Sequence, residues 1–207
     1  MILYFARHGE STANTLRVIS NRELNHPLTD LGRDQAALLA EKLRPAGLTA
    51  VFTSPVPRAL ETAMIVSRRL ALPLETADGL REFDTGVLEG RSGFFAWLRF
   101  SRLWNQWFVR QHLNKRIRGG ESFLEARQRF SAFIQQLAGR YSESGCRLLC
   151  IAHGGILWVG LSGLMEILTF DNVSSGPIPY TALISAEYRN GKLTCNRWEG
   201  VTLPRAD

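Results

Sequence analysis

The apolar run Ile2-Leu3-Tyr4-Phe5-Ala6 stops abruptly at Arg7-His8-Gly9-Glu10. A short β-type run that halts at a cation, an imidazole and a glycine describes a buried strand delivering reactive side chains to its carboxyl end. The pattern recurs along the chain. The run Cys146 to Ala152 ends in His153-Gly154-Gly155, and Ala50-Val51-Phe52 ends at Thr53-Ser54 with Arg58 four residues on. Helical patterns separate these runs, as expected of an α/β fold with a mainly parallel sheet between layers of helices. The carboxyl ends of parallel strands lie on one side, where ligands bind. Two imidazoles and two guanidiniums can therefore converge in one crevice.

That convergence has chemical content. Two guanidiniums offer fork-shaped donors matched to phosphoryl oxygens, and their charge lowers the pKa of a neighbouring imidazole, keeping it neutral and nucleophilic near pH 7. One histidine can then attack while the other donates. Gly9 permits close approach of backbone or ligand, and Ser11-Thr12 bring hydroxyls and amides that could meet an anion.

The helices are legible from their punctuation. Thr29 reads as the N-cap of a helix whose apolar face is Leu31, Leu38, Leu39 and Leu43, ended by Pro45-Ala46-Gly47. Pro55 suits the first turn of a second helix carrying Ala59, Leu60, Ala63, Met64 and Leu70 inward. Arg58 then lies in that first turn, where the helix dipole opposes a cation unless an anion binds there. Periodicity breaks at Leu80-Arg81-Glu82-Phe83, and Glu82 is either a surface carboxylate or a general acid over the pocket. From Phe94 to about Leu113 an aromatic stripe (Phe100, Leu103, Trp104, Trp107, Phe108) opposes a basic one (Arg99, Arg102, Arg110). This is expected to be a lid packed on the domain; contact with an anionic lipid surface or an aromatic substrate is the sharper reading. Ser122 and Glu125 form a capping box that opens a long helix, and Ile156 to Met165 continue as an apolar one. Asn190-Gly191 signals a closing antiparallel hairpin, Ala182–Tyr188 with Leu193–Trp198.

With 207 residues, 45% hydrophobic and 21% charged, the chain is expected to form one domain, residues 1–207, without a membrane span or signal peptide and with a cytoplasmic location. Cys146, Cys150 and Cys195 lack CxxC spacing, so buried reduced thiols are expected, without disulfide or zinc. The net charge of +6 is spread along the sequence, against a nucleic-acid partner.

At this point the sequence resembles the histidine phosphatase superfamily, also called phosphoglycerate mutase-like. The matching pieces are Arg7-His8-Gly9-Glu10-Ser11 with Asn14, Pro27-Leu28-Thr29-Asp30-Leu31-Gly32, Thr53-Ser54-Pro55 with Arg58 and Glu61-Thr62-Ala63, Leu80-Arg81-Glu82 with Leu88-Glu89-Gly90, Gly120-Glu121-Ser122, and His153-Gly154-Gly155. The aromatic segment Phe94 to Leu113 has no motif to transfer, and the helical lid insertion expected at about 83–120 rests on its amphipathic pattern alone. The resemblance makes His8 the nucleophile, Arg7, Arg58 and His153 the groups that neutralise the phosphoryl group, and Glu82 the proton donor. Asn14 and Gly154 would join substrate binding. No metal or cofactor is implied. His26 and His112 match no catalytic position, and Arg17-Val18-Ile19-Ser20-Asn21 departs from the family's usual small residues, which leaves a substrate contact there unassigned. The implied reaction is hydrolysis of a small phosphorylated substrate through phosphohistidine. A mutase using the same histidine is the enzymatic alternative, and a phosphate-binding scaffold the non-enzymatic one.

Overall fold

The first apolar run forms β1 (Ile2–Arg7) and the second His-Gly junction follows β4 (Arg147–Ala152), and these two strands pair in parallel at the centre of the sheet. The computed structural model describes residues 1–22, 24–141, 145–165 and 177–199. The remaining strands are β2 (Ala50–Thr53), β3 (Leu74–Thr76), β5 (Leu183–Arg189) and β6 (Lys192–Trp198). Their order is β3-β2-β4-β1-β5-β6, parallel from β3 to β1 and antiparallel at β5 and β6. The expected hairpin turns at Asn190-Gly191, both at positive φ, and closes that edge of the sheet.

Side chains of the central strands alternate between two cores, as period-2 geometry requires. Leu3, Phe5, Phe52, Leu148 and Cys150 face one core, whereas Ala6, Val51, Leu149 and Ile151 face the other. The second core is covered by α2 (Asp30–Leu43) and α3 (Pro57–Leu70). The first is covered by α4 (Phe94–Phe108), α5 (Phe123–Arg140) and α6 (Gly154–Leu161). A one-turn helix α1 (Thr12–Thr15) follows β1. The result is the expected three-layer α/β sandwich with a mainly parallel sheet, a helical segment between β3 and β4, and a C-terminal hairpin.

Several local expectations are corrected. Leu39 and Leu43 are buried as expected, but Leu31 and Leu38 are exposed at 54% and 69%, and α2 turns Gly32, Ala36 and Ala40 inward in their place. The cause is Gly32: a Cβ there would lie 2.0 Å from the Glu10 carbonyl oxygen, so backbone contact fixes the rotation of the helix. The same contact explains Gly9, whose missing Cβ admits the Gly32 backbone and not a ligand. In α3 the first helical residue is Pro57, not Pro55, because a residue before proline avoids the helical region and Val56 is extended. Val66 takes the inward place expected of Met64. The helix after His153 ends at Leu161, short of Met165, where Ser162 and Gly163 weaken it. Likewise α4 ends at Phe108 and not near Leu113. Of the three free cysteines only Cys150 is buried, and burial pushes its thiol up. No helix among the described residues is long and apolar enough to cross a membrane.

Candidate active site

Sheet register places the site. Arg7 pairs with Ala152, and Thr53 with Ile151, so three strand ends are level. The backbone N–H of His8 donates to Ala152 O at 3.0 Å, and that of Ser54 to Ile151 O at 3.0 Å. His8 and His153 consequently stand with ring centroids 5.1 Å apart. Both are buried, as is Arg58 in the first turn of α3.

The contacts of His8 fix its tautomer. Nδ1 lies 2.6 Å from the Gly9 carbonyl, which can only accept, so Nδ1 carries the proton. Nε2 is then a lone pair, and it accepts from Arg58 Nε at 3.0 Å. Burial, with the charges of Arg58 and Arg7, holds the imidazole well below its usual range, so it stays neutral at pH 7. His153 is lowered by the same causes, and its Nε2 sits 2.8 Å from Ser54 Oγ. Burial also brings Arg58 down to about 10, opposed by Glu82, which leaves it charged.

Arg7 is held by a segment the sequence did not mark. Its Nη1 donates to Ile178 O at 2.6 Å, and its guanidinium lies 4.3 Å from the Tyr180 ring centroid. Nothing in the pattern before β5 resembles a strand end or a charged motif, so this contact carried no signal. Three polar atoms at this end, Arg7 Nε, Arg58 Nη1 and His153 Nδ1, are buried and have no hydrogen-bond partner among the described residues. Buried polar atoms are ordinarily paired.

Glu82 joins the same cleft, as the pocket-acid alternative requires. Its Oε1 accepts from Phe83 N at 3.0 Å and its Oε2 from Gly155 N at 2.9 Å. Burial raises the carboxyl above its usual range, against the pull of those N–H donors and of Arg58. The loop carrying it is clamped by Arg129 of α5, which donates to the carbonyls of Asp78, Gly79 and Arg81 and pairs with Glu121. Glu121 in turn accepts from Asp84 N at 2.9 Å. Arg129 was not anticipated, because one more arginine on an amphipathic helix looks like a solvated face. A Cβ at Gly155 would lie 2.7 Å from Glu82 Oε1 and 2.4 Å from the Phe83 ring, so only glycine fits beside this carboxyl.

The cleft has a volume of about 620 Å³, and Arg7, His8, Asn14, Arg58, Glu82 and Gly154 all line it. His153, its ring 5.1 Å from that of His8, is not itself in the lining. Asn14 Oδ1 accepts from Ser11 N and from Ser11 Oγ, at 3.0 and 2.7 Å. The Ser11 hydroxyl is therefore turned to Asn14 and not to an anion. Val18, Ile19, Ser20 and Asn21 also line the cleft, and Asn21 Nδ2 braces the Glu82 loop through Phe83 O at 3.0 Å. Thus the unassigned loop after Asn14 does border the site. Other family-like residues brace the site from outside: Thr62 accepts from Gly9 N, and Glu61 from Leu28 N. His26 pairs with Ser20, and His112 is exposed, outside the cleft.

The model of the histidine phosphatase superfamily (branch 1) matches residues 3–200. A protein of Yersinia pestis (strain Pestoides F) named "Probable phosphoglycerate mutase GpmB" is 32% identical over 165 residues, 80% of this chain and 75% of that protein. Among solved structures, Bacillus stearothermophilus YhfR is 29% identical with a TM-score of 0.81, covering 96% of each chain. The alpha-ribazole phosphatase from Shigella flexneri shares the fold at 23% identity and a TM-score of 0.78, again over 96% of each chain. The fold, the paired histidines at level strand ends and the family match agree, and the chain belongs to the histidine phosphatase superfamily, branch 1.

Proposed function

We propose that this protein hydrolyses phosphate monoesters without a metal, through a phosphohistidine formed on His8. One observation carries the reading: His8 Nε2 is a lone pair held by Arg58 Nε, in the same cluster as Arg7 Nε, Arg58 Nη1 and His153 Nδ1, which are buried without partners among the described residues. A phosphoryl group satisfies all three, as oxyanion-type stabilisation requires. A phosphoryl oxygen that takes the donors of Arg58 also releases the Nε2 lone pair. Nε2 then attacks phosphorus, the P–O bond to the leaving alcohol breaks, and the protonated Glu82 carboxyl gives its proton to the departing oxygen. Water attacks the phosphohistidine in the second half, returns a proton to Glu82 and frees inorganic phosphate. The guanidiniums supply the positive charge that a divalent ion provides in other phosphoryl-transfer sites. Asn14 and Gly154 border the bound group.

The Yersinia relative's name supports a second reading, transfer of the phosphoryl group back to a hydroxyl acid. Phosphate release from a panel of monoesters, measured with a chelator present for wild type and His8→Ala, tests both. Release by wild type that His8→Ala loses by about 10⁴-fold or more is expected. Exchange between phosphoglycerates without release would favour the mutase, and phosphate binding with no turnover of any kind a binding scaffold.

A further inference from the structure

Beyond the phosphoryl end, the cleft changes character. Its lining there is Trp97, Phe100 and Trp104 from α4, faced by Val18, Ile19 and Ile178. Phe83, Phe100 and Trp104 form a three-ring cluster, with Phe100 stacked on Phe83 at 5.8 Å and on Trp104 at 6.4 Å, and with Phe83 and Trp104 also 6.4 Å apart. Trp97 packs edge-on against Phe100 at 5.4 Å, and its Nε1 donates to Arg17 O at 2.9 Å, tying α4 to the loop after α1 across the cleft. Of the polar groups here Ser20 pairs with His26, and Asn21 with Phe83 O and Glu89. Ser101 of α4 and the indole N–H of Trp158, unpartnered among the described residues, add two neutral hydrogen-bonding groups to the lining and no charge.

Charge is distributed just as unevenly. Among the described residues that line the cleft, the cations are Arg7 and Arg58, both at the phosphoryl end, and the acid is Glu82. A substrate carboxylate, or a second phosphate, would therefore be desolvated against indole and phenyl rings without a counter-ion, which is strongly unfavourable. An alkyl or aryl group would gain the hydrophobic transfer energy there instead.

From this lining we infer that the substrate is the phosphomonoester of a bulky apolar alcohol, held by Trp97, Phe100 and Trp104, and not a phosphorylated hydroxy acid. The inference rests on the phosphatase reading and names its substrate class. The same stripe of α4 continues one turn further to Phe94, which is 74% exposed and outside the lining.

The n-alkyl phosphates test it, because ethyl, butyl, hexyl and octyl phosphate differ little in leaving-group acidity and differ mainly in buried apolar surface. In the wild-type enzyme kcat/KM is expected to rise about two- to fourfold per methylene until the cleft is filled, with 3-phosphoglycerate no better than ethyl phosphate. Trp97→Ala and Phe100→Ala should flatten the slope. Val109→Ser, on an exposed residue at the end of α4 outside the cleft, should keep the wild-type slope. Turnover with a flat or falling series, or 3-phosphoglycerate exceeding octyl phosphate, overturns the substrate class and leaves the hydrolase reading standing. No turnover of any ester overturns the hydrolase reading, and this inference falls with it.

Discussion

The two ends of the cleft are built by opposite means. At the phosphoryl end the reactive groups come from three different strand ends, and each is held by hydrogen bonds: His8 by Gly9 and Arg58, His153 by Ser54, Arg7 by Ile178. At the far end the wall comes largely from one helix, α4, and is held by ring packing, with Trp97 bonded to Arg17. The first arrangement is set by sheet register, in which a shift of one residue would turn every group to the other face. The second is set by a helical stripe, whose side chains can change without disturbing the sheet. On the proposed reading, chemistry is thereby separated from substrate preference within one cleft.

The largest effect that could break this division is expected from Arg58→Ala. It removes a buried donor to both His8 and the phosphoryl group, and kcat should fall about 10²- to 10³-fold on short and long esters alike. Steady-state kinetics on ethyl and octyl phosphate measure it. A loss confined to the long ester would show that Arg58 serves the apolar end, and the division would fail.

Glu82→Gln comes next and sharpens it. Loss of the proton donor should cost about 10²-fold on an alkyl ester, whose alkoxide leaves poorly, and much less on 4-nitrophenyl phosphate. The pH profile gives an independent sign. The proposed mechanism needs Glu82 protonated and His8 neutral, so activity is expected to fall above the raised pKa of the carboxyl and below the lowered pKa of the imidazole. The substitution should remove the alkaline limb and leave the acid limb in place. An unchanged alkaline limb would assign it to another group.

A smaller effect is expected from Gly155→Ala. The added methyl meets Glu82 Oε1 and the Phe83 ring, and Phe83 also packs against Phe100 and Trp104 of the aromatic wall. This is where the two ends touch. The variant should lose about tenfold or more in kcat, because small misplacements of a positioned group are costly, and should alter the alkyl-chain slope as well. If only one of the two readouts moves, the ends are mechanically independent even at their junction.

How much of this was legible in the sequence follows the same line. The sheet, the level strand ends and the convergence of Arg7, His8, Arg58 and His153 could be read because abrupt apolar runs ending in His-Gly are local signals. Thr29 and Ser122 announced their helices through caps that the structure confirms. What could not be read depends on contacts remote in sequence. Leu31 and Leu38 fit an inward face equally well until Gly32 meets Glu10 and sets the rotation of α2. The roles of Ile178 and Tyr180 at Arg7, and of Arg129 under the Glu82 loop, arise from backbone carbonyls and ring faces brought in by the fold. Residue type carries no trace of them. The aromatic stripe of α4 was visible, whereas its division into core (Leu103, Trp107, Phe108) and cleft wall (Trp97, Phe100, Trp104) was not.

The smallest expected effect concerns stability and separates the two ends without any substrate. Burial and the nearby guanidiniums hold both His8 and His153 below their usual pKa of about 6.5. The unfolded chain therefore binds more protons than the folded one as pH drops below about 6.5, and stability is lost over the window down to the folded-state values. Each such histidine costs at most about 1.4 kcal/mol per pH unit in that window. His153→Gln removes one of them. Measured by urea unfolding, the variant should be less stable than wild type at pH 7, where it loses a packed ring. It should, however, lose about 1 kcal/mol less between pH 7 and pH 5.5. Trp97→Phe, at the apolar end, should show the wild-type acid sensitivity, since it changes no titrating group. Equal acid sensitivity in all three proteins would mean that the buried imidazoles are not what the fold is protecting from protons, and that the charge of the two arginines is felt less at His153 than the geometry implies.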